Sequence, residues 1–128
     1  MPAYGNFVLD KGYDAAAAIT KFRAVKFSAE ETVTPVTAIT DQIVGVEQFG
    51  VSAAEILKGK GASVRSAGIT EMECSAAITV GAAVSAGTDG RAKTAATGER
   101  VIGQCVKGTA NAGERAAVRL TLPGLLLP

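Results

Sequence analysis

Two stretches of the chain alternate apolar and polar residues with a period of two. In Ile69-Thr-Glu-Met-Glu-Cys74, Met72 and Cys74 point one way and Glu71 and Glu73 the other. In Arg115–Leu122, Ala116, Val118, Leu120 and Leu122 share one face, while Arg115, Arg119 and Thr121 take the opposite one. Such a pattern with one wet face is what an antiparallel strand needs. Further short runs rich in β-branched residues predict strands over Phe22–Ser28, Val33–Thr37, Ile43–Gln48, Ala62–Ala67, Ala83–Ser85, Arg91–Thr94 and Val101–Lys107. Gly, Pro or Asp-Gly interrupts these runs at short intervals, the rhythm of an all-β barrel or sandwich. Thr88-Asp-Gly-Arg91 predicts a two-residue type I′ hairpin, because Asp-Gly tolerates positive φ. Pro35 predicts an edge, since it cannot donate to a ladder. Ser52–Lys58 is the one segment with helical character: Ser52 and Glu55 have the spacing of a capping box, and Gly59 can end the helix. Asp14–Ala18 has helix propensity but no apolar stripe follows it.

The chain also repeats itself. Ala17-Ala-Ile-Thr-Lys-Phe-Arg-Ala-Val25 matches Ala76-Ala-Ile-Thr-Val-Gly-Ala-Ala-Val84 at six of nine positions. Ile43-Val-Gly45 then pairs with Val101-Ile-Gly103, and Ala62-Ser-Val-Arg65 with Ala116-Ala-Val-Arg119, in the same order. The offset shrinks from 59 to 54 residues, which a longer Val51–Lys60 loop in the first half explains. Units of this size are too small to bury a core alone, so two would close together. The expected fold is therefore a compact all-β barrel or sandwich of two pseudo-repeated halves with at most one short helix. The repeats span about residues 17–69 and 76–124 of a single β domain over 15–128. Residues 1–14 stand apart as an extended N-terminal arm.

Composition narrows the picture. Of 128 residues 24 are Ala and 15 are Gly, leaving 35 large apolar side chains (Val, Ile, Leu, Met, Phe, Tyr), enough for one modest core. The 13 basic and 12 acidic residues are spread evenly over both halves, so no basic stripe points to nucleic acid. No apolar run is long enough to span a membrane, and the first residues lack the basic and apolar regions of a signal peptide. The chain has no His, which removes the commonest general base and metal ligand. Cys74 and Cys105 cannot make a zinc site alone and fall at core-like positions, where reduced thiols of a protein made inside the cell are the expectation. No glycine cluster follows the strand–loop–helix plan of a phosphate site. The carboxylate pairs Glu30/Glu31 and Glu71/Glu73 read as solvated residues. Neither catalysis, nor a metal, nor a cofactor is expected.

The residues left over suggest contacts. Tyr4, Phe7 and Tyr13 are half of the six aromatics and lie in the arm, where they suit a docking segment. Arg65 and Arg119 occupy equivalent outward positions in the repeat and read either as solvated strand residues or as contacts at a subunit interface. Five of seven leucines lie in residues 120–128. Leu125, Leu126 and Leu127 either fold back on their own barrel or pack on a neighbouring subunit, and the small core favours the neighbour.

The run Gly68-Ile-Thr-Glu-Met-Glu-Cys-Ser-Ala-Ala-Ile-Thr-Val-Gly-Ala-Ala-Val84 leads into Ala86-Gly-Thr-Asp-Gly-Arg-Ala92, then Val101-Ile-Gly103, Ala112-Gly-Glu114 and the closing strand. With Val44-Gly-Val46 and Gly61–Arg65, it resembles the capsid decoration, or cement, proteins of tailed bacteriophages over about residues 17–124. The resemblance implies a compact β fold that assembles, commonly as a homotrimer, on the outer face of a phage head where capsomers meet. Its partners would be the major capsid protein and sister copies, and its place the virion after synthesis in the host cytoplasm. It carries no catalytic residues across. The first 16 residues match no pattern of the family, so a capsid contact by Tyr4, Phe7 and Tyr13 rests on composition. A tail or baseplate component, or a small β-barrel carrier modified on Lys93, remain alternatives.

Overall fold

The structure, a computed structural model, describes residues 7–122. The first half holds β1 (Leu9–Ala15), β2 (Ala24–Ala29), β3 (Thr32–Pro35), β4 (Ile43–Glu47), α1 (Ala53–Leu57) and β5 (Ala62–Ala67). The second holds β6 (Ile69–Glu73), β7 (Ala83–Ala86), β8 (Ala92–Thr94), β9 (Gly103–Lys107) and β10 (Arg115–Leu120). The first five strands close into a barrel in the order β1-β3-β2-β4-β5, and the others form a sheet in the order β6-β10-β9-β7-β8. Among the described residues the protein is all-β with one short helix, as the alternation of its residues implies.

The two halves share one topology. Reading β1 as β6, β2 as β7, β3 as β8, β4 as β9 and β5 as β10 converts one strand order into the other. The register agrees: Tyr13 lies opposite Ala62 as Met72 lies opposite Ala116, and Val25 opposite Gly45 as Val84 lies opposite Gly103. The duplication is therefore longer than the matching residues suggest and begins with β1. The N-terminal segment is extended, but from Leu9 it is a barrel strand, antiparallel to β5 and parallel to β3, and its counterpart is β6.

The halves differ in how they close. In the first, Asp14 and Ala15 pair with Thr32 and Val33 of β3. In the second, the equivalent contact shrinks to one bridge, Cys74 to Ala92. A segment of the first half fills the remaining seam. The Glu73 amide donates to the Phe22 carbonyl (3.0 Å), and the Ala24 amide to the Gly90 carbonyl (2.9 Å). Phe22 holds a left-handed φ of 62°, where the repeat places Gly81 with φ 90°. A bulky residue in this region costs about 1–2 kcal/mol. Burial of the Phe22 ring, 8% exposed, offsets that strain, with the Arg115 guanidinium 4.7 Å from its centre.

Alternation divides the core. Val25, Val33, Val64, Ile19, Val51 and Ala62 fill the barrel. The neighbouring residues Ala24 and Val46, with Val36 and Ile43, face the other way and join Met72, Val84, Ile102, Cys105, Val118 and others in a second cluster. One face of the first half thus supplies part of the second half's core. This supplement meets the shortage of large apolar residues noted above.

The local expectations fare as their chemistry dictates. Ser52 caps α1 with both bonds of the capping box, the Glu55 amide to Ser52 Oγ (3.1 Å) and the Ser52 amide to Glu55 Oε1 (2.9 Å). Pro35 lies beyond the last residue of β3 that β1 pairs, so its missing N–H breaks no ladder. The 88–91 hairpin is not the two-residue type. Positive φ falls on Gly90 alone, the Gly90 amide donates to the Gly87 carbonyl (2.9 Å), and Asp89 caps the Arg91 amide (3.1 Å). A three-residue loop of this kind needs only one left-handed residue. Asp14–Ala18 is not helical: β1 runs to Ala15 and ladder pairing overrides the propensity.

Candidate capsid-contact surface

The N-terminal segment delivers a run of apolar side chains to the surface. Phe7 is 95% exposed and Leu9 59%, with Val8 between them. Nothing in this stretch turns inward, because β1 closes the barrel through its backbone and shows solvent on almost every residue. Tyr13 differs. It is half-buried against the barrel core and meets Phe27 edge-on, with ring centres 5.5 Å apart and planes at 79°. The Lys11 ammonium sits 4.4 Å from the Tyr13 ring centre and also pairs with Glu31. Tyr13 is thus a structural residue first, with Phe27, 53% exposed, as the more open partner. Of the three aromatics expected to dock, the structure leaves Phe7 fully available and Tyr13 partly so. Tyr4 lies outside the described residues.

Arg65 and Arg119 occupy equivalent positions, facing Asp10 and Ile69 across their ladders. The difference in neighbour decides their chemistry. Arg65 donates to both carboxylate oxygens of Asp10 (2.8 and 3.0 Å) and to the Ile69 carbonyl (3.0 Å). The hydrogen-bonded guanidinium holds the Asp10 carboxyl below its usual range, and the Asp10 carboxylate raises Arg65. Arg119 has no carboxylate opposite and donates to Gln104 Oε1 (2.7 Å). Arg119 therefore keeps more of its charge unmatched than Arg65. Leu125, Leu126 and Leu127 lie outside the described residues.

A second charged group sits on the seam between halves and takes in Glu73, which the sequence suggested was a solvated residue. Glu73 receives Arg23 (3.3 Å) and Arg91 (3.7 Å), and Arg91 also holds Asp89 (2.7 Å). All are part-exposed, so they fix the seam's geometry more than its energy. Nothing in the sequence links Arg23 to Glu73, because the link depends on the segment that fills the seam. Elsewhere Lys93 pairs with Glu99, which also accepts from Ser85 Oγ (3.1 Å) and the Ala96 amide (2.8 Å). Lys93 is therefore a bound side chain on β8 and not the raised hairpin lysine that a carrier domain presents.

The thiols of Cys74 and Cys105 are buried and not joined to each other, and burial pushes the Cys105 thiol up. Among the described residues no three Cys, Asp or Glu side chains gather to hold a metal ion, and no helix is long and apolar enough to cross a membrane.

The family follows from comparison. The family model described as phage cement protein matches residues 31–120. The chain belongs to the phage cement protein family. This is a family of structural phage proteins, and a capsid decoration role follows for this cement protein. The match begins between β2 and β3 and ends at the last residue of β10, so the exposed N-terminal run lies outside it along with β1 and β2. Two solved structures share the fold. One is the head fiber gp8.5 N base of bacteriophage phi29, with TM-score 0.66 and 17% identity over 93% of this chain and 98% of that one. The other comes from the capsid of Myoviridae phage XM1, with TM-score 0.66 and 20% identity over 96% of this chain and 88% of that one. No curated protein matches the chain.

Proposed function

We propose that this cement protein binds the outer surface of an assembled head through the major capsid protein, as a homotrimer, and stabilises the expanded lattice. The observation that carries this reading is the family match over residues 31–120, which takes in β3 to β5 of the first β unit and all of the second. The likeness to a capsid chain of phage XM1 supports it. A partner that binds one lattice state and not another stabilises the first by its binding free energy. Several weak sites per multimer, each touching a different capsomer, combine by avidity. The role calls for no reaction and no cofactor.

The contacts fall to the N-terminal run and the arginines. Phe7, with Tyr4 before it, inserts aromatic area into the capsid, and the barrel anchors that arm through the β1–β5 ladder. Tyr13 steadies the base of the arm. Arg119 meets a sister copy, and Arg65, already neutralised by Asp10, contributes shape more than charge. Co-sedimentation tests the proposal. Purified protein should pellet with expanded heads and stay in solution with unexpanded ones. Failure to pellet with either refutes it.

A further inference from the structure

Under the internal duplication, two charges lack the partner that their counterparts have. Arg65 and Arg119 hold the same place in β5 and β10. Arg65 binds both oxygens of Asp10 across its ladder (2.8 and 3.0 Å). Arg119 lies opposite Ile69 and reaches the neutral Gln104 (2.7 Å). Asp14 and Glu73 likewise hold the same place in β1 and β6, one residue beyond the pairs Tyr13–Ala62 and Met72–Ala116. Glu73 receives Arg23 (3.3 Å) and Arg91 (3.7 Å). Asp14 is exposed, and among the described residues its carboxylate meets no cation. The first half is thus short of a cation and the second of an anion.

Asp14 opens onto a cleft of about 580 Å³, where Tyr13, Glu31, Phe49, Lys60 and Gly61 stand around it. Gly61 takes the place that Arg115 holds in the second half, so β5 brings no arginine here. Glu47, 1% exposed, lies behind the cleft wall. Its Oε1 accepts from the amides of two wall residues, Phe49 and Ser63 (both 3.1 Å), and its Oε2 has no hydrogen-bond partner among the described residues. Lys11 pairs with Glu31 and Lys60 with Glu55, which leaves the Asp14 and Glu47 carboxyl groups in excess. Phe49 is 70% exposed and offers a ring face on which a guanidinium stacks.

We infer that the Arg119 guanidinium of one copy enters this cleft of the next copy and pairs with Asp14. The pairing gives the sister-copy role of Arg119 its acceptor, and it rests on that role. Arg65 with Asp10 shows the two-pronged bond that an arginine at this position makes once a carboxylate is in reach. Charge on the donor face is complementary to the cleft. Arg115 and Lys107 share that face with Arg119 and hold no carboxylate among the described residues, against one unmatched acid, Glu71. Because donor and acceptor are different patches of one chain, each copy gives one and receives the other. Such a head-to-tail contact builds a closed ring, as a trimer requires.

Sedimentation equilibrium of the full-length protein over a range of concentrations tests the pairing. Arg119→Glu and Asp14→Arg each set like charges against each other and should weaken self-association by about a hundredfold. Both changes in one chain restore opposite charges and should bring association back to within about tenfold of the native protein. That recovery separates a broken contact from a damaged fold, since two fold defects do not cancel. Native self-association that neither single change weakens, or losses that the double change does not recover, would overturn the pairing and leave the sister-copy reading standing. A native chain that stays monomeric at every concentration would overturn both.

Discussion

Gly45 and Gly103 are equivalent glycines that the structure holds in equivalent places, and replacing either with Ala should damage the fold by the same mechanism. A Cβ at Gly103 would sit 2.3 Å from the Arg119 carbonyl oxygen and 2.8 Å from Val118 Cγ1. A Cβ at Gly45 would sit 2.3 Å from the Arg65 carbonyl oxygen and 2.7 Å from Val64 Cγ1. Ordinary contact starts near 3.4 Å, so the strands must part by about 1 Å. The obstacle is backbone and cannot rotate away. At Gly103 the parting strains the ladder between Gly103 and Leu120 and the neighbouring bond from the Thr121 amide to the Ile102 carbonyl (2.9 Å). Two weakened hydrogen bonds at about 1 kcal/mol each, with overpacking of about 1–3 kcal/mol, give a loss of about 3–5 kcal/mol. For a domain of this size that lowers Tm by about 10–20 °C. Gly98→Ala is the control, because Gly98 has φ 83° with nothing within 4 Å, so only backbone strain of about 1 kcal/mol applies. Urea unfolding of the three variants at one protein concentration measures the differences. The reasoning fails if Gly103→Ala and Gly45→Ala lose no more than Gly98→Ala.

Removal of residues 1–8 should leave the thermal transition of the barrel in place and abolish head binding, whereas removal of 1–15 should lower Tm sharply because β1 closes the barrel; circular dichroism and co-sedimentation read the two effects. Glu55 should titrate at about 2 by NMR, because the Lys60 ammonium, and then the Ser52 amide, hold it down. A depressed carboxyl stabilises the folded state above its ordinary pKa, near 4.5, and that contribution disappears as pH falls through about 2. Lys60→Ala should raise the Glu55 midpoint. Lys93, with the Ala96 amide and Ser85 hydroxyl, holds Glu99 below the usual carboxylate range, so Glu99 also stabilises on the alkaline side of that range and loses its effect in acid. Lys93→Met should raise the Glu99 pKa and shift acid unfolding to higher pH, read by fluorescence-free methods such as circular dichroism, since the chain has no Trp.

The parts of this fold that were legible in the sequence are those where a side-chain pattern and a backbone pattern coincide. β6 and β10 each have one buried face, so their residues alternate. The capping box of α1 is a local exchange between Ser52 and Glu55, complete within four residues. β1 escaped notice because it does its work through N–H and C=O groups. Its residues, Leu-Asp-Lys-Gly-Tyr-Asp-Ala, face solvent in turn and carry no alternation. The only signal for it was topological: a strand preceding the second repeat requires a counterpart preceding the first. The seam cluster of Arg23, Glu73 and Arg91 was illegible for a related reason, since its Arg23–Glu73 contact joins residues 50 positions apart through the segment that fills the seam. Phe7 is exposed, while Tyr13 sits half-buried against the barrel core because a strand, not a free arm, carries it.

A cement protein should strengthen a filled head. The direct measurement is the temperature at which DNA leaves packaged heads, followed with an intercalating dye as the protein is added to heads that lack it. The release temperature should climb with protein concentration and level off when every site is occupied. A release temperature that stays constant on heads shown to be saturated with the protein would contradict it.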